Sequence, residues 1–193
     1  MKITTSFAIL LLLTGCATTE NKTPIPDKAK TNEQVLAQML CENAQCRKDV
    51  RVVLKDRDQH TFDKTYSVMP VINDLGVMVV AGQTVMFEAT VVGDELTNLK
   101  LVDKNVHPEK TIIAQFYQQN EQEMVLILKQ PFDRPLKAHM LMMPLESEEF
   151  FATSSCAVPT KVPSAEIWPF PIFQIMLTDF KFVSAKELHN CVE

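Results

Sequence analysis

Residues able to do chemistry are sparse in this chain, and the densest group is His139-Met140-Leu141-Met142-Met143. Thioether and imidazole together suit Cu(I). On a strand, however, His139, Leu141 and Met143 face one way and Met140 and Met142 the other. The ligands are then split, and the plainer reading is methionine filling irregular gaps in a core. His60, His107, His139 and His189 have no zinc-ligand spacing. Thr153-Ser154-Ser155 lacks the glycine frame of a nucleophile elbow, and Gly76, Gly82 and Gly93 are too scattered to form a phosphate-cradling loop. Glu146, Glu148 and Glu149 could pose as acid and base, but they read better as a solvated loop. The residues thus point to a noncatalytic protein without a cofactor.

The N-terminus carries a sharper signal. Lys2 supplies a short positive region, and the eleven residues from Ile3 to Leu13 form an apolar run closed by Gly15. A helix crossing the hydrocarbon core needs about 20 residues, and polar Thr18, Thr19, Glu20 and Asn21 follow at once. The stretch Leu13-Thr14-Gly15-Cys16 resembles the lipobox of bacterial lipoproteins, which are cut before the cysteine and acylated on its sulfur. The resemblance covers residues 1–17. It implies a cleaved signal peptide over 1–15, lipid attachment at Cys16 and anchoring in a membrane. Ala17 stands where an Asp commonly retains such proteins at the inner membrane, which implies the outer membrane with the folded part facing the periplasm. Each buried lipid methylene contributes about 0.8 kcal/mol, so two or more chains anchor stably where one does not.

Export permits disulfides, and four cysteines besides Cys16 favour two bridges. Cys41 and Cys46 are too far apart for a bridge within an unbroken helix, so pairing them requires the helix to end near Asn43. Cys156 is then expected to pair with Cys191, which follows a possible helical turn whose Ser184 and Glu187 match a capping box. No Cys-x-x-Cys spacing suggests thiol catalysis.

The segment from Pro159 to Pro171 holds Pro163 and Pro169 as well, around the single tryptophan, Trp168. Proline at this density forbids a central strand and favours an extended crossing or an edge. Such a segment displays side chains, which makes Trp168, Phe170 and Phe173 a candidate recognition patch. The competing reading has Trp168 capping one end of the core.

These residues need a scaffold. Residues 16–31, with Pro24 and Pro26, read as a polar tether with a reach of about 20 Å if flexible. Val35, Leu36, Met39 and Leu40 share one helical stripe over residues 31–43, with Thr31 and Gln34 placed as a capping box and the stripe expected to pack on the domain. Beyond Cys46 the period changes to two. Val50, Val52 and Leu54 alternate with Asp49, Arg51, Val53 and Lys55, Asp56 to His60 form a turn, and Thr61 to Val68 return as the second strand of a hairpin, which Pro70 interrupts. Strands are expected over residues 77–80, 85–91, 96–102, 111–118, 124–129, 136–143, 150–154 and 173–183, with turn signals between them.

Such spacing, without interleaved helices, predicts a mainly β, antiparallel immunoglobulin-like β-sandwich over residues 32–193, with a short N-terminal helix. A small β-barrel is the runner-up, because spacing does not decide closure. The run Ala81-Gly82-Gln83-Thr84-Val85 resembles the A-to-B transition of immunoglobulin-like domains.

Removing 15 of 193 residues leaves 178, enough for one domain with a sizeable core. Losing Lys2 takes the charge from −5 to −6, with both signs dispersed, which disfavours nucleic acid as a partner. The expected role is an outer-membrane-anchored interaction module with an envelope protein partner, accessory to envelope assembly or secretion. The alternative is a periplasmic copper-binding protein using His139 and the neighbouring methionines.

Overall fold

A computed structural model describes residues 32–188 and Cys191 of the chain. Cys16, the tether, Thr31, His189 and the side chains of Gln34 and Leu36 lie outside the described residues.

Among the described residues one α-helix, α1 (Asn32–Cys41), precedes eleven strands: β1 (Gln45–Lys55), β2 (Thr61–Asn73), β3 (Gly76–Val80), β4 (Gln83–Val92), β5 (Glu95–Val102), β6 (Thr111–Asn120), β7 (Glu123–Lys129), β8 (Leu136–Pro144), β9 (Phe151–Thr153), β10 (Ser164–Trp168) and β11 (Ile172–Phe182). All pairings are antiparallel. One layer runs β1-β2-β3-β11-β8-β9 and the other β5-β4-β6-β7-β10. Residue β11 Lys181, opposite Glu95 of β5, joins them. The ladder ends at β1, at β9 and at β10 and does not close on itself, so the chain is a mainly β, antiparallel sandwich rather than a barrel.

Alternation builds the core. Val85, Phe87, Ile112, Phe116, Leu126, Met140, Ile175 and Leu177 come from both layers and are almost fully buried. The step between layers occurs at Ala81-Gly82. The Ala81 N–H donates to the Phe173 carbonyl in the first layer and the Gly82 N–H to the Phe116 carbonyl in the second, both at 2.9 Å. Gly82 adopts φ +81°, a conformation costly for other residues.

Glutamine amides also stitch the layers together. Gln118 of β6 accepts from the Lys55 N–H (2.9 Å) and donates to the Lys55 carbonyl (2.7 Å), occupying the outer edge of β1 as a strand backbone would.

Two local expectations change. Pro70 does not interrupt β2, which runs on to Asn73. Pro70 lies opposite Cys46, beside a register shift at Gln45/Cys46, where the ladder is already irregular and the missing N–H costs little. Three of the four stripe residues on α1 are not packed away either, the side chain of Leu36 lying outside the described residues. Val35 is 44%, Met39 63% and Leu40 47% exposed, and no described side chain of α1 is fully buried.

Candidate functional site

Among the described residues an open groove of about 980 Å³ is walled by residues 42–45, the β2–β3 turn, β5, β8, Ser155 and the end of β11. Each wall has a local cause.

Cys41 and Cys46 are bridged, so residues 42–45 form a tight loop at the end of α1. Gln45 fixes that loop to the second layer by donating to the Leu99 carbonyl (2.8 Å) and accepting from the Leu101 N–H (2.7 Å). At the β2–β3 turn, the Asn73 side-chain oxygen accepts from the N–H groups of Leu75 (2.9 Å) and Gly76 (3.3 Å). Gly76 has φ +144°, and a Cβ there would sit 2.2 Å from the Leu177 carbonyl oxygen, so only glycine allows β3 to lie this close to β11.

The far wall is where β11 changes layer. Between Thr178 and Lys181 its register shifts, and Asp179 adopts φ +50°, bringing Asp179 and Lys181 to the groove. Asn98 on β5, also lining it, has φ +50°. Left-handed backbone in residues other than glycine persists only where surrounding structure imposes it. Arg134 supplies part of that structure. Its guanidinium donates to Asp94 Oδ1 (2.6 Å) and the Gly93 carbonyl (2.9 Å) and stacks 4.1 Å from the Phe182 ring, pinning the start of β5 to the end of β11.

Glu42, Asp74, Glu95 and Asp179 face Lys137, Lys181 and His139 along this groove, so its charge is mixed with acid in excess. Ser155, 1% exposed, also lines it, but its hydroxyl donates to the Ala138 carbonyl at 2.8 Å and has no base to activate it in that bond. Among the described residues no group of three or more His, Cys, Asp or Glu side chains is placed to hold a metal ion. The groove offers a preformed surface of hydrogen-bonding and charged groups.

The residues singled out by sequence are dispersed. On β8, Met140 is fully buried and Met142 packs against the core, while His139 and Met143 face the other way, so the histidine and all three methionines do not converge. Glu146, Glu148 and Glu149 are exposed on the loop after β8. The bridges Cys41–Cys46 and Cys156–Cys191 are both formed. The Ser184–Glu187 box is present too. Glu187 Oε2 accepts from the Ser184 N–H (3.0 Å) and hydroxyl (2.7 Å), and these bonds hold its carboxyl below the usual range.

The aromatic patch is corrected. The proline-rich segment does form an edge strand, β10, but alternation there turns Ser164, Glu166 and Trp168 inward, opposite Leu128, Leu126 and Met124 of β7. Trp168 is 6% exposed, meets the Phe116 ring edge-on at 6.2 Å and donates from Nε1 to Thr153 Oγ1 at 2.9 Å. Phe173 packs against Phe62 and Tyr66, at 6.0 and 5.7 Å between ring centroids. Phe170 instead lines a separate cleft of about 320 Å³ beside Pro171 and residues 56–58. The three rings therefore do not share one outward face.

Sequence reasoning missed the groove itself. Its walls come from six separated segments, and the one local hint was the asparagine-to-glycine turn at residues 73–76. No known protein family, characterised protein or solved structure matches this chain.

Proposed function

We propose that this chain is an outer-membrane lipoprotein, acylated at Cys16, whose sandwich faces the periplasm and acts as a noncatalytic module that binds another envelope protein, accessory to envelope assembly or secretion. The observation that carries the binding role is the groove of about 980 Å³, held open by a disulfide loop, the Gln45 amide and a glycine-dependent strand approach. A preformed site avoids part of the ordering cost of association. Its mixed charge suits an extended polar segment of a partner, with Leu75, 66% exposed on the rim, as an apolar contact. The lipobox-like stretch ending at Cys16 supports the anchoring role.

The test places a photo-crosslinking residue at Asp74, in the groove, and a control at exposed Lys129 on β7, both in cells making the acylated protein. One discrete adduct from position 74 and none from 129 is expected. Equal, diffuse labelling from both positions overturns the groove as the binding site. In parallel, Cys16→Ser should shift the protein from the membrane fraction to a soluble or unprocessed pool, and unchanged partitioning with unchanged mass overturns the lipoprotein reading.

A further inference from the structure

We propose that α1 rests Val35, Met39 and Leu40 on the lipid surface that holds the chain, an inference that depends on the anchoring at Cys16 proposed above. Val35 and Met39 are one helical turn apart, and Leu40, about 100° further round from Met39, lies at the edge of the same apolar arc. In the structure all three are exposed to between 44% and 63%, although their spacing is that of a packed stripe. Scattered exposed apolar residues are ordinary, but three on one short helix that buries none of its described side chains require a cover.

The chain itself indicates which cover. Sixteen positions separate Cys16 from Asn32, the first residue of α1, so the helix is the described element nearest the anchor in sequence. A flexible segment of that length reaches about 20 Å, and tethering of this kind gives effective concentrations in the millimolar range. Contact too weak to hold a free protein on a bilayer is then nearly saturated. A protein partner fits less well, because a specific interface buries about 800 Å² per side, more than one face of a ten-residue helix presents.

Charge sets the character of the contact. Glu33 is the only ionisable side chain in α1 apart from the bridged Cys41, and the chain as a whole carries −5. Anionic lipid gives no attraction, so apolar burial has to supply it, and the contact should tolerate high salt. The Cys41–Cys46 bridge ties the helix end to β1 and so passes its orientation to the sandwich.

The test uses the acylated protein in vesicles of phosphatidylethanolamine and phosphatidylglycerol with brominated acyl chains. The unaltered chain sets the baseline, since its one tryptophan is buried. Met39→Trp should add an indole whose emission is blue-shifted and quenched by the bromines, equally at low and high salt, and Val35→Glu with Leu40→Glu in that background should abolish the quenching. Ile167→Trp, at an exposed site on β10, should show none. An unaltered Trp168 emission in every variant reports an intact fold. Vesicle flotation without quenching of the Met39→Trp indole overturns this inference while leaving the anchor in place. Failure to float overturns the anchor. Quenching lost at high salt, or a dimer in sedimentation that Met39→Glu dissolves, also overturns the inference, assigning the helix to electrostatic binding or to a second copy.

Discussion

Trp168 Nε1 donates to Thr153 Oγ1 at 2.9 Å, so β9 of one layer and β10 of the other are tied through a side-chain hydrogen bond near the rim of the core. Both residues are less than one-tenth exposed. Trp168→Ala removes a buried ring and should cost about 3–5 kcal/mol of folding stability, read as a lower denaturant midpoint. Thr153→Val deletes only the acceptor and should cost about 1–3 kcal/mol, because the indole N–H is left buried and unpaired. The free protein should emit like buried indole, with slow acrylamide quenching. A solvent-exposed spectrum contradicts this packing.

Gly76→Ala should be among the most damaging single substitutions. The added methyl meets the Leu177 carbonyl oxygen at 2.2 Å, so β3 and β11 have to separate along a ladder of four paired residues. The expected loss is at least about 3 kcal/mol, well above the roughly 1 kcal/mol typical of point mutants. Gly82→Ala has open space around the new methyl and strains only the backbone, so it should cost less. Urea denaturation of the two variants checks the order.

Glu166 provides a pH-dependent term. Burial pushes its carboxyl above the ordinary range, while the Cys156 N–H, donating at 3.0 Å, pulls the other way. A carboxyl raised in the folded state binds its proton more tightly there. The stability it contributes is complete below its unfolded value near 4.5 and is lost as pH rises through the elevated folded value. Glu166→Gln keeps an acceptor for Cys156 and cannot ionise. It should match the natural chain at low pH and exceed it at neutral pH by a modest margin. Parallel stability profiles from acid to neutral pH contradict the assignment.

The two bridges should be separable by their loops. Cys156 and Cys191 are 35 positions apart and Cys41 and Cys46 only five. In the chain-entropy model the longer loop is worth about 4 kcal/mol and the shorter about 2. Cys191→Ala should therefore destabilise more than Cys46→Ala in chemical denaturation. A nonreduced digest should give Cys156 and Cys191 peptides joined, and a Cys156–Cys41 product contradicts the structure.

Much of the scaffold was legible because its cause is local. Val50, Val52 and Leu54 announce β1 by alternation, Pro163 and Pro169 bound an edge strand, and the cysteines on either side of Asn43 mark the end of α1. The direction in which β10 faces was not legible. It depends on register with β7, which turns Trp168 inward and exposes Ile167. The groove was hidden for a related reason: Asp179 reaches it through a bulge with φ +50°, and no neighbouring glycine or proline signals that bulge. Gln45 and Gln118 looked like ordinary surface polar residues, because a side-chain amide acting as a rung between layers leaves no mark in the local sequence.

Those amides, together with β10, bear on how the domain avoids self-association. A bare strand edge is a template for a neighbouring chain. At the outer edge of β1, Gln118 already engages both backbone groups of Lys55. At the opposite end of the ladder, β10 spans only five residues, with Pro163 immediately before it and Pro169 immediately after, and it turns the Glu166 carboxylate toward the interior. An incoming strand would find few rungs there and would have to dehydrate that carboxylate further. The Gln118 amide at β1 and the prolines around β10 thus blunt these two edges against fibre-like growth.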